Sequence, residues 1–365
     1  MIKFLSEANQ KKLRGVALLR LDFNTEDDWR LVASLPTLKF LLRRAGKIVI
    51  LGHRGRPPGI SKEFSLKKDA VKLQRLIHSD VYFVPHFDFK KIQEEVQVAP
   101  RGSIFILENL RFMKGEVENS SVFAKKLASL ADFYVNDAFA VSHRANASVA
   151  AITKFLPSFA GFEFEREIAF LSRAMQNPKR PFVFILGGSK VSDKLGILKY
   201  FRNKTDYFLL GGVAANTILK LKGFDTKKSL VEKDAPGLRK LRAVLGYSNV
   251  ILPVDFRWSG ERILDIGEKT AKFFSQIVSR ARTIIWSGPL GLAEKKQYAR
   301  GSMAVARAVV ANRRAFSLSG GGETVMFLKQ HGFDKRFSFV STGGGAMLEF
   351  LEGKKLPGVE ALKRN

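Results

Sequence analysis

Short, uninterrupted apolar runs rich in Val, Ile, Leu and Phe recur along the whole chain, with helical stretches between them. A run that is apolar at every position, rather than at alternate ones, predicts a strand buried on both faces, as in a parallel sheet. Runs at 16–23, 47–53, 81–87, 103–110 and 132–139 fit in the first half. Those at 182–188, 207–212, 249–256, 283–288, 315–321 and 337–342 fit in the second. Helical patterns at 29–44, 120–130 and 302–311 fall between strands, so the order is strand–helix–strand throughout. A polar, proline-marked stretch from Gln176 to Pro181 follows a helical pattern at 163–175 and reads as a joint. The expected fold is α/β, with two doubly wound, Rossmann-like parallel-sheet domains facing across a cleft. The first domain is expected at 1–160, the joining helix at 161–179 and the second domain at 180–349.

A chain of 365 residues can build both cores. It has no Cys, which excludes disulfides and thiolate metal sites. Residues 1–15 lack the apolar stretch of a signal peptide, and no run approaches the ~20 residues of a membrane span. The expectation is a cytoplasmic protein. Lys plus Arg is 62 against 34 for Asp plus Glu, a net charge of +28. Such an excess either forms a solvated surface or attracts phosphorylated metabolites, nucleotides or nucleic acid. The basic residues are spread through helical segments rather than gathered in one tail.

Ligands of open parallel sheets bind beyond the carboxyl ends of the strands, so the residues following each strand matter most. In the first half these are Asp22, Asn24 and Arg30, then His53, Arg54 and Arg56, then Arg111, and finally Asp137, His143 and Arg144. Guanidinium forks match carboxylate and phosphate, which suits a small, multiply anionic substrate. Asp22 also has a structural alternative, pairing with Arg20 or Arg30, and His53 and His143 could act as caps or as anion donors.

Glycine dominates the strand ends of the second half: Gly187 and Gly188, Gly211 and Gly212, Gly288-Pro289-Leu290-Gly291, Gly320 to Gly322 before Glu323 and Thr324, and Gly343 to Gly345. Glycine lets backbone N–H groups approach phosphates, and a following helix N-terminus favours the negative charge. Neither G-x-x-x-x-G-K-[ST] nor a strand-following G-x-G-x-x-G is present, which excludes a P-loop enzyme and argues against a dinucleotide dehydrogenase. Lys190 and Lys194 share one face at a helix start and suit neutralisation of a migrating phosphoryl group. Glu323 either stands near a Mg²⁺–nucleotide or is only an acid at a helix N-terminus. The pattern is that of an anion cup and a nucleotide lobe which close around their substrates.

The motifs themselves resemble a known family. Arg20-Leu21-Asp22-Phe23-Asn24, His53-Arg54-Gly55-Arg56-Pro57, Leu107-Glu108-Asn109-Leu110-Arg111-Phe112 and Asn136-Asp137-Ala138-Phe139 with His143-Arg144-Ala145 resemble segments of phosphoglycerate kinases. So do Gly187-Gly188-Ser189-Lys190-Val191-Ser192-Asp193-Lys194, Trp286-Ser287-Gly288-Pro289-Leu290-Gly291, 320–324 and Ser341-Thr342-Gly343-Gly344-Gly345, all in the family's order. The resemblance implies reversible phosphoryl transfer between ATP and the carboxylate of 3-phosphoglycerate, giving ADP and 1,3-bisphosphoglycerate. It implies that Asp22, Asn24, Arg30, His53, Arg56, Arg111 and Arg144 bind 3-phosphoglycerate. Lys190, Lys194, Glu294, Glu323 and Thr324 would serve the Mg²⁺–nucleotide, with Gly211, Gly212, Pro289, Gly321 and Gly322 around it and Glu323 towards the metal. Arg30, Lys190 and Lys194 would be catalytic. The histidines rank as anion donors, because a carboxylate acceptor has no proton to remove at neutral pH. It further implies a monomer whose tail, 350–365, packs back on the first domain.

Some positions depart from the family pattern. Glu323 stands where an Asp is usual, Ser287 for Asn, Asn146 for His, and Val213 interrupts a glycine run. The loop from Thr25 to Trp29 and the stretch between Phe256 and Asp265 are short. A second reading therefore stays open, a kinase fold with weakened activity that binds nucleic acid or other polyanions through its basic surface.

Overall fold

The structure, a computed structural model, describes residues 1–9, 13–25, 27–189, 192–233 and 235–363. It divides into two units, one of Met1–Ile168 with the C-terminal stretch from Lys355, the other of Ala169–Lys354.

In the first unit the chain forms β1 (Val16–Arg20), α1 (Trp29–Arg44), β2 (Lys47–Leu51), α2 (Lys67–Ile77), β3 (Val81–Val84), α3 (Phe89–Val98) and β4 (Ile104–Leu107). It continues through α4 (Lys114–Val117), α5 (Ser121–Ala128), β5 (Phe133–Asn136) and β6 (Ser158–Ala160) into α6 (Phe162–Gln176). The six strands form one parallel sheet in the order β3-β4-β2-β1-β5-β6. Successive side chains of a strand point to opposite faces. Thus Ala17, Leu19, Ile48, Ile50 and Ile106 enter one core, while Leu18, Val49, Leu51, Phe105 and Leu107 enter another. This is the physical content of the uninterrupted apolar runs, since both faces of the sheet are covered.

The second unit contains β7 (Phe182–Leu186), α7 (Ser192–Phe201), β8 (Tyr207–Leu210), α8 (Gly212–Leu221), α9 (Ala235–Val244), β9 (Val250–Ile251), β10 (Phe256–Ser259) and β11 (Arg262–Ile266). Then come α10 (Glu268–Arg280), β12 (Thr283–Ser287), α11 (Arg300–Ala311), β13 (Phe316–Gly320), α12 (Gly322–Gln330), β14 (Phe339–Val340) and α13 (Gly345–Leu351). Its parallel sheet runs β14-β13-β12-β7-β8-β9. The last helix, α14 (Pro357–Lys363), packs against β6 in the first unit.

Several elements differ from expectation. The run at 249–256 forms a strand only at Val250–Ile251, because Pro253 has no N–H to continue the ladder. Phe256 instead begins an antiparallel hairpin, β10–β11, which the sequence analysis did not foresee. Nor did it foresee β6. The run at 337–342 pairs only over Phe339–Val340, at a sheet edge.

On one face of the second sheet Phe201 is fully buried. It packs edge-on to Phe182 at 5.6 Å between ring centroids and tilted to Phe184 at 5.4 Å. Phe201→Ala should lower the stability of the second unit by about 3–5 kcal/mol. Urea unfolding checks this, and an unchanged midpoint would contradict it.

Candidate active site

Strand order in the first sheet reverses between β1 and β5, so a crevice opens at their carboxyl ends. Asp22, just beyond β1, is buried. Its Oδ2 accepts a hydrogen bond from Arg30 Nη1 at 2.7 Å, and its Oδ1 accepts from the N–H of Asn24 at 2.9 Å. Of the two arginines open to Asp22 in the sequence, Arg30 takes it. Asn24 Oδ1 accepts from the N–H of Gly55 at 2.8 Å, which ties the loop after β1 to the loop after β2. Arg111, beyond β4, donates to the carbonyl of the same Gly55. Arg56 is exposed nearby, and its charge acts on Arg111.

Arg20 points elsewhere. Its Nη2 donates to His53 Nδ1 at 2.9 Å and its Nε to Ser148 Oγ at 2.9 Å. Ser148 Oγ donates in turn to Glu116 Oε1 at 2.6 Å, and the Ser148 N–H to Oε2 at 2.9 Å. The buried cation is thus balanced by a buried carboxylate through one hydroxyl. An arginine can only donate, so His53 Nδ1 accepts and the ring proton sits on Nε2. Burial, then the charges of Arg20, Arg111, Arg144 and Arg30, hold the His53 pKa well below its usual value. His143 follows the same logic, with its pKa lowered to about 4 by burial and by Arg144. Arg111 itself is lowered to about 10 by burial and then by Arg144 and Arg20. All seven predicted substrate residues therefore sit at one sheet edge, linked by hydrogen bonds or by mutual fields. Arg54, expected there too, is committed elsewhere, since it grips Asp69 with Nη2–Oδ1 at 2.6 Å and Nε–Oδ2 at 3.1 Å. Asp137 likewise serves α6, accepting the N–H groups of Glu163 and Phe164 at 2.9 and 3.1 Å, and burial raises its pKa to about 6.

In the second sheet the order reverses between β7 and β12. The loops leaving them are clamped backbone to backbone, with the N–H of Gly188 donating to the carbonyl of Pro289 at 2.7 Å. Only glycine allows this approach, because a Cβ on Gly187 would lie 1.9 Å from the Pro289 carbonyl oxygen. Gly212 joins them at φ +57°, donating its N–H to the carbonyl of Leu290 at 3.1 Å. Beside this clamp lies a pocket of about 270 Å³ walled by Val213, Leu230, Phe256, Ile263 and Leu292, with Glu294 and Glu323 at its edge. A neighbouring cavity of about 310 Å³ is lined by Lys194, Ser287, Gly321, Gly322, Glu323 and Thr324. An apolar slot beside a cavity with a lysine and glycine backbone suits a base and its phosphates.

Glu323 borders both spaces, and its Oε1 accepts from Ser189 Oγ at 3.2 Å. Among the described residues no three His, Asp or Glu are grouped to hold a metal by themselves. One carboxylate beside a phosphate cavity still fits Mg²⁺ arriving on a nucleotide, since Mg²⁺ takes one or two carboxylates plus phosphate oxygens. Thr324 is fully buried and its Oγ1 accepts the N–H of Gly288 at 2.6 Å, so it also holds the loop after β12. Lys190 lies outside the described residues.

A family model described as phosphoglycerate kinase matches residues 12–354. The chain belongs to the phosphoglycerate kinase family. It is 37% identical to a phosphoglycerate kinase of Dictyoglomus turgidum, with 99% of each chain covered. It is 40% identical to one of Thermosipho africanus, with 94% of each covered. A cytosolic phosphoglycerate kinase of Triticum aestivum is 39% identical, with 92% of this chain and 90% of the wheat protein covered. The solved phosphoglycerate kinase of Coxiella burnetii superposes with a TM-score of 0.85 at 34% identity, covering 100% of this chain and 99% of that one. That of Pyrococcus horikoshii gives 0.86 at 30% identity over 99% and 98%.

Residues that motif reading missed are those without a motif. Ser148 and Glu116 lie on separate segments that only the fold brings together. Phe256 and Ile263 come from the unforeseen hairpin, whose signal was a Ser259-Gly260-Glu261 turn between β-forming residues.

The two lowered histidines imply an acid sensitivity. Relative to an unfolded value of 6.5 their folded pKa values are depressed, so the unfolded chain takes up protons first on acidification. Their contribution to stability is intact above pH 6.5 and falls as the pH drops towards 4. Asp137 acts oppositely, contributing below 3.8 and losing that contribution as the pH rises through about 6. His53→Gln should therefore flatten the acid limb, by at most about 1.4 kcal/mol per pH unit. Urea midpoints of the first unit across this range test it, and an unaltered slope would refute the assignment.

Proposed function

We propose that the chain transfers a phosphoryl group reversibly between ATP and 3-phosphoglycerate, with the acceptor held by the first unit and the Mg²⁺–nucleotide by the second. The observation that carries this reading is the excess of positive charge at the first sheet edge. The charges of Arg20, Arg111, Arg144 and Arg30 act on a neutral histidine, Arg111 is lowered by burial and then by Arg144 and Arg20, and Arg30 Nε is buried without a hydrogen-bond partner. Such a cup is stabilised by a small ligand with several negative charges. A phosphate with a carboxylate meets that need. Family membership favours this reading over a polyanion binder with weakened catalysis.

In the proposed roles, Arg56, Arg111, Arg144 and the Nε2–H of His53 hold substrate oxygens, while Asp22 and Asn24 orient Arg30 and the substrate hydroxyl. An oxygen of the acceptor carboxylate forms a bond to the γ-phosphorus as the bond from that phosphorus to the β,γ-bridging oxygen breaks, and ADP leaves. No proton moves, so the protein's task is positioning and charge stabilisation. Arg30 and Lys194 supply positive charge to the migrating group, together with Lys190 by family resemblance. Glu323 would be the protein carboxylate for Mg²⁺ on the nucleotide, which when bound would add to that neutralisation. Pro289, Gly211 and Gly212 shape the slot for the base, where Glu294 stands at the rim, and Gly321, Gly322 and Thr324 line the phosphate side. We take the working form to be a cytoplasmic monomer. No described helix is long and apolar enough to cross a membrane.

A coupled assay following 1,3-bisphosphoglycerate formation tests the reaction, and folded protein without turnover would overturn it. Arg111→Met should raise KM for 3-phosphoglycerate by at least about tenfold, as expected for a lost charge-assisted hydrogen bond, and leave KM for ATP unchanged. Glu323→Gln should instead lower kcat with Mg²⁺–ATP. Equal effects of both variants on both substrates would refute the division of roles.

A further inference from the structure

A basic groove lies in the second unit, apart from the residues proposed to hold the acceptor. A cavity of about 810 Å³ in the second unit is lined by Lys295, Lys296, Arg300 and Arg307, and no Asp or Glu lines it. All four side chains are exposed, and none takes part in an ion pair among the described residues. Arg300 and Arg307 are seven residues apart on α11, about two helical turns, so they share one face roughly 10 Å apart. The two lysines extend the row ahead of the helix. The floor is aliphatic, made by Ala299, Met303 and Ala304.

We propose that this groove binds a chain of linked phosphates, read through its charges and not through any base. A row of unpaired cations in a concavity repels itself, and a linear polyanion relieves that repulsion along its whole length. The lining has no Phe, Tyr or Trp, and its aromatic ring, His331, packs on Phe327 with centroids 4.8 Å apart, so it offers no row of stacking platforms of the kind that holds single-stranded bases. Its concave form also suits a strand better than a flat headgroup layer. Inorganic polyphosphate and the backbone of a single-stranded nucleic acid present this same chemistry. The site is separate from the nucleotide pocket but mechanically joined to it. At the start of α11 the N–H of Gly301 donates to Asp265 Oδ2 at 2.8 Å, and Ser302 Oγ accepts from the N–H of Leu290 at 2.9 Å. Both Asp265 and Leu290 line the nucleotide pocket.

The test uses the full chain with ATP and 3-phosphoglycerate saturating, so that the catalytic sites are occupied. Labelled short-chain inorganic polyphosphate and, separately, a labelled single-stranded oligonucleotide are titrated at physiological ionic strength. The fourfold variant Lys295→Gln, Lys296→Gln, Arg300→Gln and Arg307→Gln should weaken binding at least tenfold while turnover is unchanged. For the oligonucleotide it should reduce the slope of log K against log salt by about 3, at roughly 0.7 per lost contact. A control removing the same charge from exposed Lys90, Lys91, Lys125 and Lys126 of the first unit should leave binding nearly intact. Binding of either probe alone supports the groove and names its source. If the fourfold variant does not fold, the Arg300→Gln/Arg307→Gln pair takes its place, with about half the slope change. Binding of neither probe, or equal loss in the groove variant and the control, would overturn the proposal, since the net charge of +28 would then explain everything.

Discussion

A parallel sheet covered by helices on both faces has no surface left for polar chemistry except its edges. Both units are built under that constraint. In the first, β1, β2, β4 and β5 are apolar almost to their last residue, and the chain turns polar as each strand ends, at Asp22, His53, Arg111 and Asp137. In the second it turns to glycine instead, at Gly187, Gly211, Gly288 and Gly321. One edge thus presents side-chain charge, while at the other glycine lets the loops close on one another, with the N–H groups of Gly187, Gly211 and Gly288 spent on Ser287, Leu186 and Thr324.

Arginines in the first unit differ less by position than by what balances them. Arg54 is paired directly with Asp69, and its charge is spent inside the fold. Arg20 is balanced at one remove, through Ser148 to Glu116, and keeps a nitrogen for His53. Arg30 is half committed to Asp22 and keeps Nε unbonded. This gradation, from spent to available, explains why arginines close in sequence have different consequences for a ligand.

The parallel, doubly covered sheets were legible because uninterrupted apolar runs have one economical interpretation. The strand ends were legible because charged or glycine residues cluster just after those runs. What escaped the sequence depended on partners distant along the chain. Nothing near Arg20 announces Ser148, which lies 128 residues away, and nothing near Arg54 announces Asp69 as a competitor for it. The hairpin at Phe256 was hidden by a different effect. Pro253 interrupts a run that otherwise reads as a single strand, and only the hydrogen-bond ladder shows where pairing stops.

The Arg20–His53 bond has one further consequence, for how the first unit experiences its surroundings. A cup whose positive charge came from imidazolium would grip firmly in acid and loosely in alkali, changing most across the ordinary range of cellular pH. Here the rings are kept neutral and the charge belongs to guanidinium groups, and even the buried Arg111 is lowered only to about 10. The positive charge of that edge is therefore indifferent to swings in acidity across this range, unlike the pocket of the second unit, where burial raises the Asp265 pKa to about 6.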